Sequence, residues 1–200
     1  ARGLNSQATI KNLTCIVSAT EVSGQPNGTG THDPGQGMRI REAHFPTIQN
    51  ALITTAYKGD VKLADDDYNY CVRIDNEGLQ AAQDGDLKIE SSIIACQDLT
   101  DGGDLPNGTT QLQFLQASND TYQSLEAGED PTADANANLE ILKGFYSLPL
   151  ADMKVNGAAP TVTPADGRAF IGAVTEDDDW TAGWAYGLDP ANRGQGLWFE

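Results

Sequence analysis

Apolar and polar positions recur along the first half of the chain in one short phrase. It reads Ile10-Lys-Asn12-Leu-Thr-Cys15, then Ile48-Gln-Asn50-Ala-Leu-Ile53, then Ile89-Glu-Ser91-Ser-Ile-Ile94. In each copy an apolar residue is followed two places on by a small polar one and five places on by a second apolar one. The copies begin at intervals of 38 and 41 residues. A companion phrase, Met38-Arg39-Ile40 and Val72-Arg73-Ile74, has a fainter echo at Arg2-Gly3-Leu4. The Ile, Val, Thr and Leu content predicts strands within 8–18, 45–57 and 86–96. Alternation through 47–53 is only partial, which predicts a strand, a tight turn at the Asn or Ser, and a second strand. In stacked copies Asn12 and Asn50 then form a side-chain ladder. Strand phrases at this period predict a solenoid, in which each unit buries its apolar face against the next. The competing fold is a β-sandwich in which the repeats are coincidental.

Polar excursions separate the strands. Residues 23–37 are rich in Gly and Pro, 58–69 carry Asp65, Asp66 and Asp67, and 75–85 are polar. Such lengths suit loops projecting from a stacked array. The pattern divides the chain at 1–100 (coils), 101–165 (a loop-rich insertion or continuation) and 166–200 (a capping segment), within one structural domain. Residues 111–125 read equally as a helix or as two strands, and 127–138 as an acidic, Ala-rich loop. Residues 170–174 read as a strand. Trp180, Trp184 and Trp198 close the end of the core as an aromatic cap, and the same indoles can alternatively stack on sugar rings.

Charge narrows the partners. Twelve Lys and Arg against 29 Asp and Glu leave a net −17, which repels phosphate backbones and anionic bilayers. Nucleic acid is therefore excluded as a partner, and no stretch is long and apolar enough for membrane insertion by a helix. The chain begins at Ala1, which reads as a processed or truncated start. Among the cysteines, Cys71 and Cys96 flank the third phrase and are expected to meet on neighbouring strands as a disulfide, which suits an oxidising compartment. Cys15 aligns with Ile53 and Ile94 and reads as an apolar thiol.

The tail Arg168-Ala-Phe170-Ile-Gly-Ala-Val174 with Asp179-Trp180-Thr-Ala-Gly-Trp184 resembles the ending of uncharacterised secreted or cell-surface bacterial proteins. The phrases Ala8-Thr-Ile-Lys-Asn12 and Pro46-Thr-Ile-Gln-Asn50 are similar to their coils. The resemblance implies export and an all-β, right-handed parallel β-helix with long loops and an aromatic C-terminal cap. It carries no activity and no catalytic residue.

Candidate chemistry is sparse. Arg39, Arg41 and Arg73 lie on candidate strands with Glu42, Asp75 and Glu90 nearby in sequence. Stacked in adjacent coils, Arg39 and Arg73 make a basic spot for an acidic sugar; the plainer reading is salt bridges to Glu42 and Asp75 on a solvated face. His32 and His44 lack metal-ligand spacing, and no nucleophile elbow or phosphate loop is present. Calcium is the one cofactor suggested, through Asp65, Asp66, Asp67 and Asp177, Asp178, Asp179, against a plainer reading as solvated charge. The expectation is a non-catalytic, extracellular or cell-surface structural or adhesive protein. Its partners are itself, assembling head-to-tail into a fibre, or surface glycans. The alternative is a carbohydrate-active enzyme or a glycan-binding module.

Overall fold

The computed structural model describes residues 6–17, 36–55, 70–96, 98–123 and 138–185. Their strands are short. β1 (Thr9–Lys11), β2 (Thr14–Val17) and β3 (Gln36–Ile40) come first, then β4 (Thr47–Gln49), β5 (Leu52–Thr55) and β6 (Tyr70–Ile74). Next come β7 (Lys88–Glu90), β8 (Ile93–Cys96), β9 (Asp98–Thr100) and β10 (Asp120–Gln123). They form three parallel sheets, ordered β1-β4-β7, β10-β8-β5-β2 and β3-β6-β9. The repeated phrases pair in register, Ile10 with Ile48 and Ile48 with Ile89. In the companion phrase Arg39 pairs with Arg73 and Ile40 with Ile74.

The small polar residue of each phrase ends the first strand. Asn12, Asn50 and Ser91 have φ of 59°, 56° and 54°, a left-handed conformation that Asn tolerates better than most residues. A single such residue turns the chain so that the next strand enters a different sheet. The Asn50 Nδ2 donates to Asn12 Oδ1 at 3.1 Å, and this is the ladder that the spacing predicts.

Two apolar clusters hold the sheets. The first contains Ile40, Ile48, Ile53, Val72, Ile74 and Ile94 among its buried members, with the Cys71–Cys96 disulfide inside it. Each isoleucine fully removed from water contributes about 1.5–3 kcal/mol. The second lies on the other face of β5 and β8, where Leu52, Ile93 and Ala95 meet Ile141, Met153 and Ile171. Burial on both faces explains why 51–53 and 93–96 are nearly continuously apolar rather than alternating. Gly37 sits where a Cβ would lie 2.6 Å from both the Cys71 carbonyl and Ile53 Cγ2, so no larger residue fits between the sheets at that point.

The all-β, right-handed parallel β-helix with an aromatic cap is not what these residues form. They form several small sheets, one of them antiparallel, together with short helices. The helix α1 (Glu77–Asp84) occupies the polar stretch after β6 and is stopped by Gly85, whose left-handed backbone returns its N–H to the Ala81 and Ala82 carbonyls. The helix α2 (Gln111–Gln116) starts at Thr110 with a full capping box to Gln113. The stretch 111–125 is thus helix first and then strand β10. Farther on, β11 (Leu142–Lys143) and β12 (Tyr146–Ser147) pair antiparallel, and 139–171 pack sideways against a sheet instead of adding to its end. Residues 170–173 form bends and 174 has no regular structure, so the stretch is not a strand. Trp180 and Trp184 are 59% and 65% exposed, so they do not seal a core. Trp198 lies outside the described residues, as do the predicted loops at 58–69 and 127–137.

Candidate functional site

The arginine pair is where sequence and geometry meet most closely. Register places Arg39 beside Arg73 on adjacent strands, two like charges that need a counter-ion. Asp75 supplies it, accepting from Arg39 Nε at 2.8 Å and from Arg73 Nε at 2.8 and 3.0 Å. Arg73 also donates to Asp101 at 2.6 Å. Two guanidinium groups thus face two carboxylates, and the spot carries no net charge. Glu42 accepts from Asn76 at 3.2 Å, and Arg41 reaches Glu42 only at 4.0 Å with both side chains exposed. Glu90 stands apart on β7, bonded to Gln49 at 2.6 Å. His44 bridges to Ser6 at the edge of β4, and His32 lies outside the described residues.

Burial pushes the Asp75 carboxyl up, but the hydrogen bonds and charges of Arg73 and Arg39 outweigh it and hold the group below the usual carboxylate range. The bond to Asp75, with Tyr70 and Asp101 beside it, raises the affinity of Arg73 for its proton. The Tyr70 hydroxyl is driven up by burial against the pull of Arg73. Its contact with that guanidinium falls short of a well-formed hydrogen bond. Asp98 on β9 is also pushed up, by burial and then by the charge of Asp101.

A group depressed in the folded state stabilises fully above its unfolded pKa and loses that contribution as pH falls through the folded pKa. Asp75 therefore supports the fold at neutral pH and ceases to do so in acid, while Asp98 opposes folding until it is protonated. Asp75→Asn is expected to lower the unfolding free energy by about 1–2 kcal/mol at neutral pH. Urea midpoints of the two proteins should converge as pH falls below the usual carboxylate range and through the lowered pKa of folded Asp75; a constant gap across pH would refute the assignment.

Asn50 is a second centre, fully buried. Besides Asn12, its Nδ2 donates to Asp166 at 2.9 Å, and its Oδ1 accepts from the Ala165 N–H at 2.6 Å. Its carbonyl accepts from the Gly172 N–H at 3.0 Å, and Thr14 Oγ1 accepts from the Ala173 N–H at 2.8 Å. The late segment is thereby bolted onto the first two turns. Burial raises the Asp166 carboxyl, but hydrogen bonds from Asn12 and the backbone, with Arg168 nearby, leave it lowered. These partners lie more than a hundred residues away, where no local pattern announces them.

The acidic runs do not come together. Asp65, Asp66 and Asp67 lie outside the described residues. Asp177 and Asp178 are exposed. Asp179 accepts from the Thr181 N–H at 2.8 Å, from the Thr181 hydroxyl at 2.5 Å and from Tyr146 at 3.0 Å. Burial pushes Asp179 up, and these bonds bring it net below its ordinary value. Among the described residues, no three His, Cys, Asp or Glu side chains converge as a metal-holding group. Cys15, half-buried, donates from its thiol to the Gly37 carbonyl at 3.3 Å and is pushed up by burial.

One end of the sheets is closed by side-chain amides. The Gln111 amide accepts from the Ile74 N–H at 2.9 Å and donates to the Ile74 carbonyl at 3.0 Å, as a neighbouring strand would. Asn119 accepts from the Ser92 N–H at 3.0 Å and donates to Ile89 and Leu115 carbonyls at 2.8 Å. At the other end β1, β2 and β3 are, among the described residues, the outermost strands of their sheets, and every residue of β1 is exposed. No known protein family, curated protein or solved structure matches this chain.

Proposed function

We propose that this chain is a non-catalytic structural or adhesive module of the cell exterior. The observation that carries this reading is the row of strand edges at β1, β2 and β3, outermost among the described residues, with Ile10 37% exposed on the first of them. An unpaired edge presents backbone donors and acceptors to another strand. The buried Cys71–Cys96 disulfide suits an oxidising compartment and supports the extracellular setting.

Continuous head-to-tail stacking needs two open ends. Here α2, Gln111 and Asn119 occupy the far one, so pairing at the β1 edge joins two copies face to face and then stops. The partner in this reading is a second copy of the chain. The net charge of −17 opposes association, and salt that screens it should tighten the dimer. Analytical ultracentrifugation across concentration is expected to give a monomer–dimer equilibrium strengthened by salt. Ile10→Lys should weaken it at least about tenfold, or about 1.4 kcal/mol. A chain that stays monomeric at every concentration and salt level overturns the reading.

A further inference from the structure

Trp180 and Trp184 are two of the three large hydrophobic side chains exposed among the described residues. Exposed tryptophans usually swing freely, but these are both held by their own ring nitrogens. Trp180 Nε1 donates to the Ala173 carbonyl at 3.2 Å, and Trp184 Nε1 donates to the Trp180 carbonyl at 2.5 Å. Each indole has thus used its single donor within the protein, and its faces are left for contact. The ring centroids are 5.6 Å apart with planes inclined at 38°.

Beside Trp180 opens a cavity of about 390 Å³, whose apolar wall includes Leu13, Ile16, Phe145 and Val174. Asn12, Thr14 and Thr181 bring polar atoms to it. A mostly apolar hollow of this size with a few polar groups is the ordinary form of a small-molecule site. We propose that the tryptophans and this hollow form a binding site for a neutral sugar ring.

The chemistry selects that occupant. The indole face is electron-rich, and the axial C–H bonds of a pyranose present a slightly positive, apolar face that matches it. Sugar hydroxyls lie at the ring edge, and Asn12, Thr14 and Thr181 are the polar residues that line the hollow. An anionic sugar is disfavoured, because Glu176, Asp177 and Asp178 are exposed just before Trp180 and the chain is strongly acidic overall. The hollow borders the outer strand β2 through Thr14 and Ile16, so it adjoins the edge proposed for self-association, and the test below tells the two roles apart.

The test titrates the full chain with neutral oligosaccharides of glucose, xylose and mannose, and with an oligosaccharide of uronic acid. Calorimetry and tryptophan fluorescence report binding. At least one neutral series is expected to bind, with Trp184→Ala weakening it at least about tenfold. Trp184→Phe should retain part of the affinity, and the thermal melt of both variants should stay at the parent value. Trp180→Ala should also lose binding; if it fails to fold, Trp184→Ala decides alone. The proposal is overturned if no neutral series binds at about 10 mM, if Trp184→Ala binds like the parent, or if the uronic acid oligomer binds equally well. It is overturned too if the Trp184 variant changes only the monomer–dimer equilibrium, since the indoles would then serve a second copy.

Discussion

Replacing Cys71 and Cys96 together by alanine is expected to lower the unfolding free energy by about 3–4 kcal/mol. The two residues are separated by 25 positions, and closing a loop of that length restricts the unfolded chain by roughly this amount. Both thiols are fully buried in the cluster around Ile53 and Ile94, so alanine adds a small cavity term and no unsatisfied polar group. For a chain of this length the midpoint of thermal unfolding should fall by roughly 10 °C. Calorimetry of the double variant, and of the parent with and without reductant, checks this. A change of under about 1 kcal/mol would mean that the unfolded chain is already held compact around those strands.

Asn50→Ala is expected to cost about 2–3 kcal/mol, a large effect for removing one small side chain. Alanine at φ 56° is strained, which accounts for roughly 1 kcal/mol. The remainder, about 1–2 kcal/mol, comes from the lost hydrogen bonds to the Ala165 N–H, the Asp166 carboxylate and the Asn12 carbonyl, partners that water can reach in part, and from the space left at a fully buried position. Asn50→Gly separates the two contributions, because glycine accepts the left-handed backbone freely. It should fall between the parent and Asn50→Ala in urea denaturation. Asn50→Asp should be worse at neutral pH than in acid, because it places a second carboxylate against Asp166. Equal stability of the alanine and parent proteins would remove Asn50 from the role assigned to it.

The legibility of this chain follows the range of the interactions. The pairing of Ile10, Ile48 and Ile89 could be read because parallel neighbours repeat the same residues. The Asn ladder followed from the same spacing, since left-handed turns favour Asn. The disulfide was legible because its cysteines flank one strand unit. The Arg39–Arg73 spot was legible in position, and its neutralisation by Asp75 was the plainer of the two readings. The part played by Asp101 was not foreseen, because it enters from the far end of β9.

The failures have physical causes too. The stretch 75–85 reads as polar loop, yet Ala81 and Ala82 find cover against the core and pull eight residues into α1. Residues 111–125 read equally as helix or strands, and the Thr110–Gln113 capping box settles the first turns as helix. The tail reads as a cap because the end unit of a repeat array is expected to be atypical and to close its core. Here the ring nitrogens bond to nearby carbonyls and leave the faces in water. The β-helix expectation extended the local pairing to the whole chain, whereas residues 139–185 follow no repeat and cover a sheet face instead.

The bolting of residues 165–173 onto Asn50 and Thr14 also bears on biosynthesis. A nascent chain that has emerged only through β10 carries every strand of the three parallel sheets, yet Asn50 has no partner for its amide oxygen and Leu52, Ile93 and Ala95 still face water. Final consolidation must wait until residues 165–173 have been made. Contacts spanning that much sequence slow the closing step, so these sheets are completed late in the folding of the chain.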